Sequence, residues 1–226
     1  MSRCNTCERT QKCHPIMISP NQTCNCASQM KHRCIEFKRS SATFGDPLCS
    51  LGRREQLNLV SAFLDGSLVY GENLEKAESL RDRHSGKGLL ILQSNGLLPQ
   101  DPTPKPADCL DFKEHQRCFR AGDDRVNQNP ALMGMHTLLA REHNRVARIL
   151  ANLNPEWNDE TVYQEARRVV IAIIQHISFN EYVPILLGPT VTRQFDLLPD
   201  RGTKYFTRYN PNIDPRVANE VLLINV

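Results

Sequence analysis

Residues 129–177, NPALMGMHTLLAREHNRVARILANLNPEWNDETVYQEARRVVIAIIQHI, decide the fold. Asn129 followed by Pro130 is an N-cap before a first-turn proline, and the predicted helix runs to Asn154, because Pro155 disfavours helical geometry in its predecessor. Asn158 caps a second helix whose first turn places Asp159 and Glu160 at the positive end of the helix dipole. Its expected core face is Val162, Ala166, Val169, Ile173 and Ile177. In the first helix, at about 100° per residue, Leu132, His136, Leu139, His143, Val146, Leu150 and Leu153 fall on one narrow stripe. Both histidines therefore face inward. Seven residues separate them, about 10.5 Å along the axis, too far to share a metal. They read as hydrogen-bonded core histidines within an internal polar network in which Glu142 can pair with an arginine.

Working outward, NEYVPILLGP predicts a third helix ended by Gly188 and Pro189. Upstream, ENLEKAESLRDR repeats Leu74, Ala77 and Leu80 on one face, and the spacing of Leu57, Val60 and Leu64 predicts another short helix over Arg53–Phe63. Residues 94–108 hold four prolines and read as a surface loop. The chain is mainly α: a cysteine-rich, loop-dominated segment over residues 1–50, then a helical core over 51–226, within one domain spanning 1–226.

Twenty-eight basic and 25 acidic side chains give a formal charge of +3 over 226 residues. That balance, with no long basic run, argues against a nucleic-acid partner. The longest apolar run, VVIAII at 169–174, is far short of the roughly 20 residues that span a bilayer, so no transmembrane segment is expected. Seven of nine cysteines lie before residue 50. Such density suits disulfides in an oxidising compartment. CNTC is also half of a zinc knuckle, but CNC is too tight for its partner, and the spacing favours disulfides. NQT at Asn21 is a glycosylation sequon, whereas the N-terminus has no apolar signal region, which reads as a chain lacking its true start.

Arg125 lies in the loop AGDDR just before the Asn129 cap. A loop held by a long helix can aim its guanidinium into a cavity, where a permanent positive charge steadies a developing anion. The alternative is an ordinary salt bridge with Asp123 or Asp124.

CFRAGDDRVNQNPALMGMHTLLAREHNR and its continuation through EYVPILLG closely resemble the animal haem peroxidases, with wording nearest the invertebrate members. The likeness extends back through REQLNLVSAFLDGSLVYG and RCIEFKRS to CNTC, and forward to NIDPRVAN. It implies a secreted enzyme that binds haem b and calcium and reduces hydrogen peroxide while oxidising a halide, tyrosine or phenolic donor. Arg125 matches the family's catalytic arginine. Gln128 stands where mammalian members carry a glutamate esterified to the haem rim, and Asn129 where some carry a methionine; both line the haem edge, and an amide forms no such ester. Ser61, the Phe63 carbonyl, Asp65 and Ser67 match the calcium loop, as an incomplete site. Both haem-flanking histidines are expected outside the chain, so the reading is a partial catalytic domain, inactive by itself; its rival is a non-catalytic secreted relative that only binds a partner. The resemblance also implies disulfides Cys4–Cys13, Cys7–Cys34 and Cys109–Cys118, leaving Cys24, Cys26 and Cys49 unassigned.

Overall fold

The computed structural model describes residues 7–10, 12–18, 34–35, 37–43, 55–102, 118–199 and 209–217. Two compact units divide the chain: residues 1–59 with 217–226, and residues 60–216.

In the first unit, β1 (Ile16–Met17) pairs antiparallel with β2 (Cys34–Ile35) in the register Ile16↔Ile35. Single bridges extend the pairing at Cys13↔Lys38 and Ala42↔Gln56. A ladder this short needs covalent support. The expected Cys7–Cys34 disulfide provides it, with Cα atoms 5.7 Å apart. Cys13 and Cys118 are disulfide-bonded as well; Cys4 and Cys109, their expected partners, lie outside the described residues, as do Asn21, Cys24, Cys26 and Cys49. The predicted helix over Arg53–Phe63 is not formed. Its described part is extended at Glu55 to Leu57, where Thr43 N donates to the Glu55 carbonyl and Leu57 N to that of Ser41. Leu57, Val60 and Leu64 stand exposed. Their helical spacing had no apolar surface to face, and without burial a short helix does not hold.

The second unit is helical. Its elements are α1 (Ser67–Tyr70), α2 (Leu74–Ser79), the hairpin β3 (Arg81–Asp82) with β4 (Leu89–Leu90), a 3-10 turn (Asp124–Asn127), α3 (Pro130–Leu153), α4 (Asp159–His176), a π-helical turn (Ile177–Tyr182) and α5 (Val183–Gln194). The chain is thus mainly α, as its sequence predicts. The cap signals hold at atomic level: Asn129 Oδ1 accepts from Leu132 N, Asn158 Oδ1 from Thr161 N, and Asn73 Oδ1 from Lys76 N, each at 2.8 Å.

α3 packs along α4 and against β4. The core gathers Tyr70, Leu80, Leu90, Val126, Leu139, Tyr163 and Val170, and a second cluster places Val146 and Ala147 against Val162 and Ala166. Two expected faces need correction. Leu153 is exposed at the last residue of α3. In α4 the buried face is Val162, Tyr163, Ala166 and Val170, while Val169 and Ile177 are exposed. Tyr163 turns the helix, because its ring is trapped beneath the Arg81 guanidinium, 3.8 Å from centroid to carbon. Arg81 is itself buried and bonded to Asp159 and Glu160, so the two helix-capping acids also neutralise an interior cation.

Gly188 does interrupt the helix, at φ 77° and ψ 161°, but helical turns continue past Pro189 to Gln194, beyond the expected end. The helical path Asp159–Gln194 contains an 18-residue window of mean hydropathy 1.5, so by length and composition alone it is long and apolar enough to cross a membrane. Counting contiguous apolar residues missed it, because the interruptions, such as Gln175, Ser178 and Asn180, are uncharged.

Gly88 shows how closely the hairpin is seated on α4. It has φ +63°, and a Cβ there would lie 2.4 Å from Tyr163 N. Gly88→Ala combines left-handed strain with a backbone clash and is expected to destabilise by on the order of 2–4 kcal/mol. Thermal melts by circular dichroism check this; Gly86→Ala, with open space around its Cβ, bears the strain alone and is the milder control.

Candidate functional site

Arg125 enters the 3-10 turn one residue after its start, and Asp123 caps that turn by accepting from Arg125 N at 2.8 Å. The same carboxylate then takes the side chain in a fork, from Nε at 3.0 Å and Nη2 at 2.7 Å. Asp123 is the half-buried partner and Arg125 the exposed one, with side-chain exposures of 12% and 65%. The salt-bridge reading of Arg125 is therefore realised, with Asp123 and not Asp124, which instead takes Lys76 Nζ at 2.6 Å. The bridge does not consume the arginine: Nη1 has no bond among the described residues. Its hydrogen bonds hold Asp123 below the usual carboxylate range and raise Arg125, so both stay charged.

Gln128 and Asn129 follow on the same exposed end of α3. Gln128 ends the 3-10 turn, and Asn129 uses its Oδ1 for the helix cap. Arg125, Gln128 and Asn129 are thus grouped within five residues at one helix end. Beneath them His136 is buried, its Nδ1 without a hydrogen-bond partner. Burial lowers its pKa, while Asp123 and the Leu68 carbonyl raise it less.

The 61–67 loop lies in the same unit. Phe63 N donates to Ser61 Oγ at 3.2 Å, and Ser67 N to Asp65 Oδ1 at 3.0 Å. Asp65 Oδ2 and Ser67 Oγ carry no bond among the described residues. One carboxylate stands alone there, and no group of three His, Cys, Asp or Glu converges anywhere among the described residues. The loop leads directly into α1, whose Ser67 and Leu68 carbonyls receive the loop of Arg125. A Cβ at Gly122 would lie 2.4 Å from Ser67 O, and Asp123 N donates to Leu68 O at 3.2 Å.

His143 is committed elsewhere. Nε2 donates to the Gly88 carbonyl at 2.9 Å, which fixes the tautomer, so Nδ1 accepts from the Tyr70 hydroxyl at 3.0 Å. Both nitrogens are used, so His143 forms the internal polar contacts expected of this stretch, while Glu142 pairs with Arg145 on the exposed side through two bonds of 2.8 Å. Tyr70 was not singled out in the sequence, and no local signal marks it, since 73 residues separate it from His143.

The geometry sits inside a chain with clear relatives. The family profile described as "Animal haem peroxidase" matches residues 1–223. The chain belongs to the animal haem peroxidase family. It is 40% identical to human myeloperoxidase over 227 residues, covering 96% of this chain and 28% of that protein. Chorion peroxidase of Drosophila melanogaster is 41% identical over 211 residues, covering 92% and 25%. Among solved structures, peroxidase A from Dictyostelium discoideum superposes with a TM-score of 0.71 at 28% identity, covering 95% of this chain and 41% of that one. The chain thus spans about a quarter of the length of these curated relatives.

A haem peroxidase implies a haem, and the side chains at the α3 end fit its rim: an exposed cation with free donors and two exposed carboxamides. They do not fit its iron, since His143 has both nitrogens engaged and His136 is enclosed.

Burial holds His143 at a pKa of about 4 against an ordinary 6.5; the Gly88 carbonyl opposes the shift and Arg81 adds to it. The unfolded chain therefore binds this proton first as pH falls. The stability His143 contributes is complete above about pH 6.5 and is lost progressively toward pH 4, on the order of 3 kcal/mol in total. His136, shifted the same way, adds to the slope. Wild type should lose melting temperature steadily between pH 7 and 4.5. His143→Gln should start lower and show a flatter profile; an equal slope in both would remove His143 as the source.

Proposed function

We propose that this chain is the arginine-bearing part of a secreted haem peroxidase that reduces hydrogen peroxide while oxidising a halide, tyrosine or phenolic donor. The observation that carries the reading is Arg125: exposed, permanently charged, and fixed by a three-point bond to Asp123 that leaves part of its guanidinium open. Uneven cleavage of peroxide needs a proton moved from one oxygen to the other and a fixed positive charge beside the departing hydroxide. Arg125 supplies the charge. Its fork onto Asp123 keeps the guanidinium plane from swinging when the anion arrives, so little reorganisation accompanies the reaction.

When bound, haem b supplies the electrons for peroxide reduction and takes them back from the donor. Gln128 and Asn129 would line its edge, where the Gln128 carboxamide can hydrogen-bond but form no ester, and where Asn129 has its Oδ1 held by the helix cap. The proton carrier and the axial histidine come from neither His136 nor His143; the chain spans about a quarter of its curated relatives and supplies one part of the catalytic unit. Ser61, the Phe63 carbonyl, Asp65 and Ser67 contribute oxygen donors to a calcium ion whose remaining ligands lie elsewhere, because one carboxylate is few for such a site.

In the whole haem-loaded protein, Arg125→Gln is expected to lower the rate constant for reaction with hydrogen peroxide about 100- to 1,000-fold, the usual cost of removing one anion-stabilising donor. Stopped-flow absorbance measures it; a loss below about threefold would exclude Arg125 from the chemistry. Gln128→Glu restores a carboxylate at the haem edge. After peroxide turnover, haem in that variant should resist extraction by acidified butanone to a greater degree than in wild type; equal extraction would place Gln128 away from the haem rim.

A further inference from the structure

A groove runs between α3 and the turn that follows β4. It encloses about 610 Å³, within the range of about 300–1,000 Å³ typical of small-ligand sites. One wall is a single face of α3, carrying Leu138, Arg141, Arg145 and Arg148; the other carries Leu89, Leu92, Gln93 and Ser94. This groove plays no part in the peroxidase reading.

The three arginines differ in what they hold. Arg145 is neutralised by its fork onto Glu142. Arg141 and Arg148 have no acid partner among the described residues. Arg141 is nonetheless ordered: its guanidinium lies against the Gly96 turn, with Nε and Nη2 about 3.5 Å from where a Cβ would stand. An arginine positioned by packing alone keeps its donors for something outside the chain. Arg141 and Arg148 lie seven residues apart, about 10.5 Å along the helix axis. A polyproline II segment has three residues per turn and rises about 3.1 Å per residue, so side chains three positions apart share one side of the peptide about 9.3 Å from each other. Leu89, Leu92 and Leu138 provide apolar surface in the same groove.

We propose that this groove is a docking site for an extended acidic peptide segment of a partner protein. In polyproline II form the two carboxylates three positions apart lie on one side of the peptide and engage Arg141 and Arg148, while an apolar side chain between them rests on the leucines. The lining also holds one carboxylate that no arginine takes, Asp82, whose Oδ1 accepts only from His84 N. That charge repels a ligand of dense, uniform negative charge, and with the apolar floor it favours a peptide with spaced carboxylates over a sulfated polysaccharide.

The test is fluorescence anisotropy of the whole protein with a fluorescein-labelled peptide carrying Glu-Leu-Leu-Glu, a Gln-Leu-Leu-Gln control, and a heparin oligosaccharide as competitor. Saturable binding of the acidic peptide is expected, with loss of about tenfold in affinity for Arg141→Ala and for Arg148→Ala, as for one charge-assisted contact each. Glu142→Gln frees Arg145 and should tighten binding severalfold, a gain that damaged folding would not produce. The proposal is overturned by no saturation at millimolar peptide, by equal binding of the amide control, by a double Arg141→Ala, Arg148→Ala variant that binds like wild type, or by a heparin oligosaccharide that binds where the peptide does not.

Discussion

The helical unit depends on how α3 grips the β3–β4 hairpin with two adjacent side chains. His143 donates to the Gly88 carbonyl, while Asn144 takes both backbone groups of Leu90, accepting from its N at 2.7 Å and donating to its O at 2.8 Å. A two-residue strand cannot satisfy its own outer edge, so α3 completes the ladder with side chains. Tyr70 closes the arrangement from α1 by donating to the remaining histidine nitrogen. One polar pair thus orients the hairpin, α1 and α3 together, and a His143 held neutral at ordinary pH is a condition of that orientation.

The same fixed helix explains why uncommitted polar groups collect at its N-terminal end. The interior of α3 is occupied by groups that have already found partners, and a side chain with both nitrogens bonded has no capacity for a ligand. The residues before the Asn129 cap belong to an irregular turn, rigid at its base and exposed at its tip. Asp123 converts that turn into a mount by spending its whole carboxylate on Arg125.

The limits of α3 and α4 were legible because their signals are local: Asn129 before Pro130, Asn154 before Pro155, and Asn158 before Asp159 each act within one turn. The family likeness assigns roles to Arg125, Gln128 and Asn129, which are neighbours in sequence and so share one helix end without help from the fold; what the structure adds is the fork of Arg125 onto Asp123 and not Asp124. What stayed illegible involves partners distant in sequence. The Arg81 cation under Asp159 and Glu160 draws on residues nearly 80 positions apart, and it is this cation over Tyr163 that rotates α4 away from its predicted face. Leu57, Val60 and Leu64 show the converse error, since periodicity states which residues share a side but not whether any surface waits to cover it.

Gly122 carries a consequence for how the two halves of the site communicate. Its α-carbon is pressed against the Ser67 carbonyl and the backbone of Val69 and Gly71, with Asp123 N bonded to Leu68 O immediately beside it. The segment that ends in Arg125 and the segment that begins with Ser61 therefore meet main chain to main chain, with no side chain between them to yield. The backbone of α1, into which the oxygen-rich loop leads, thus seats the loop that carries the arginine.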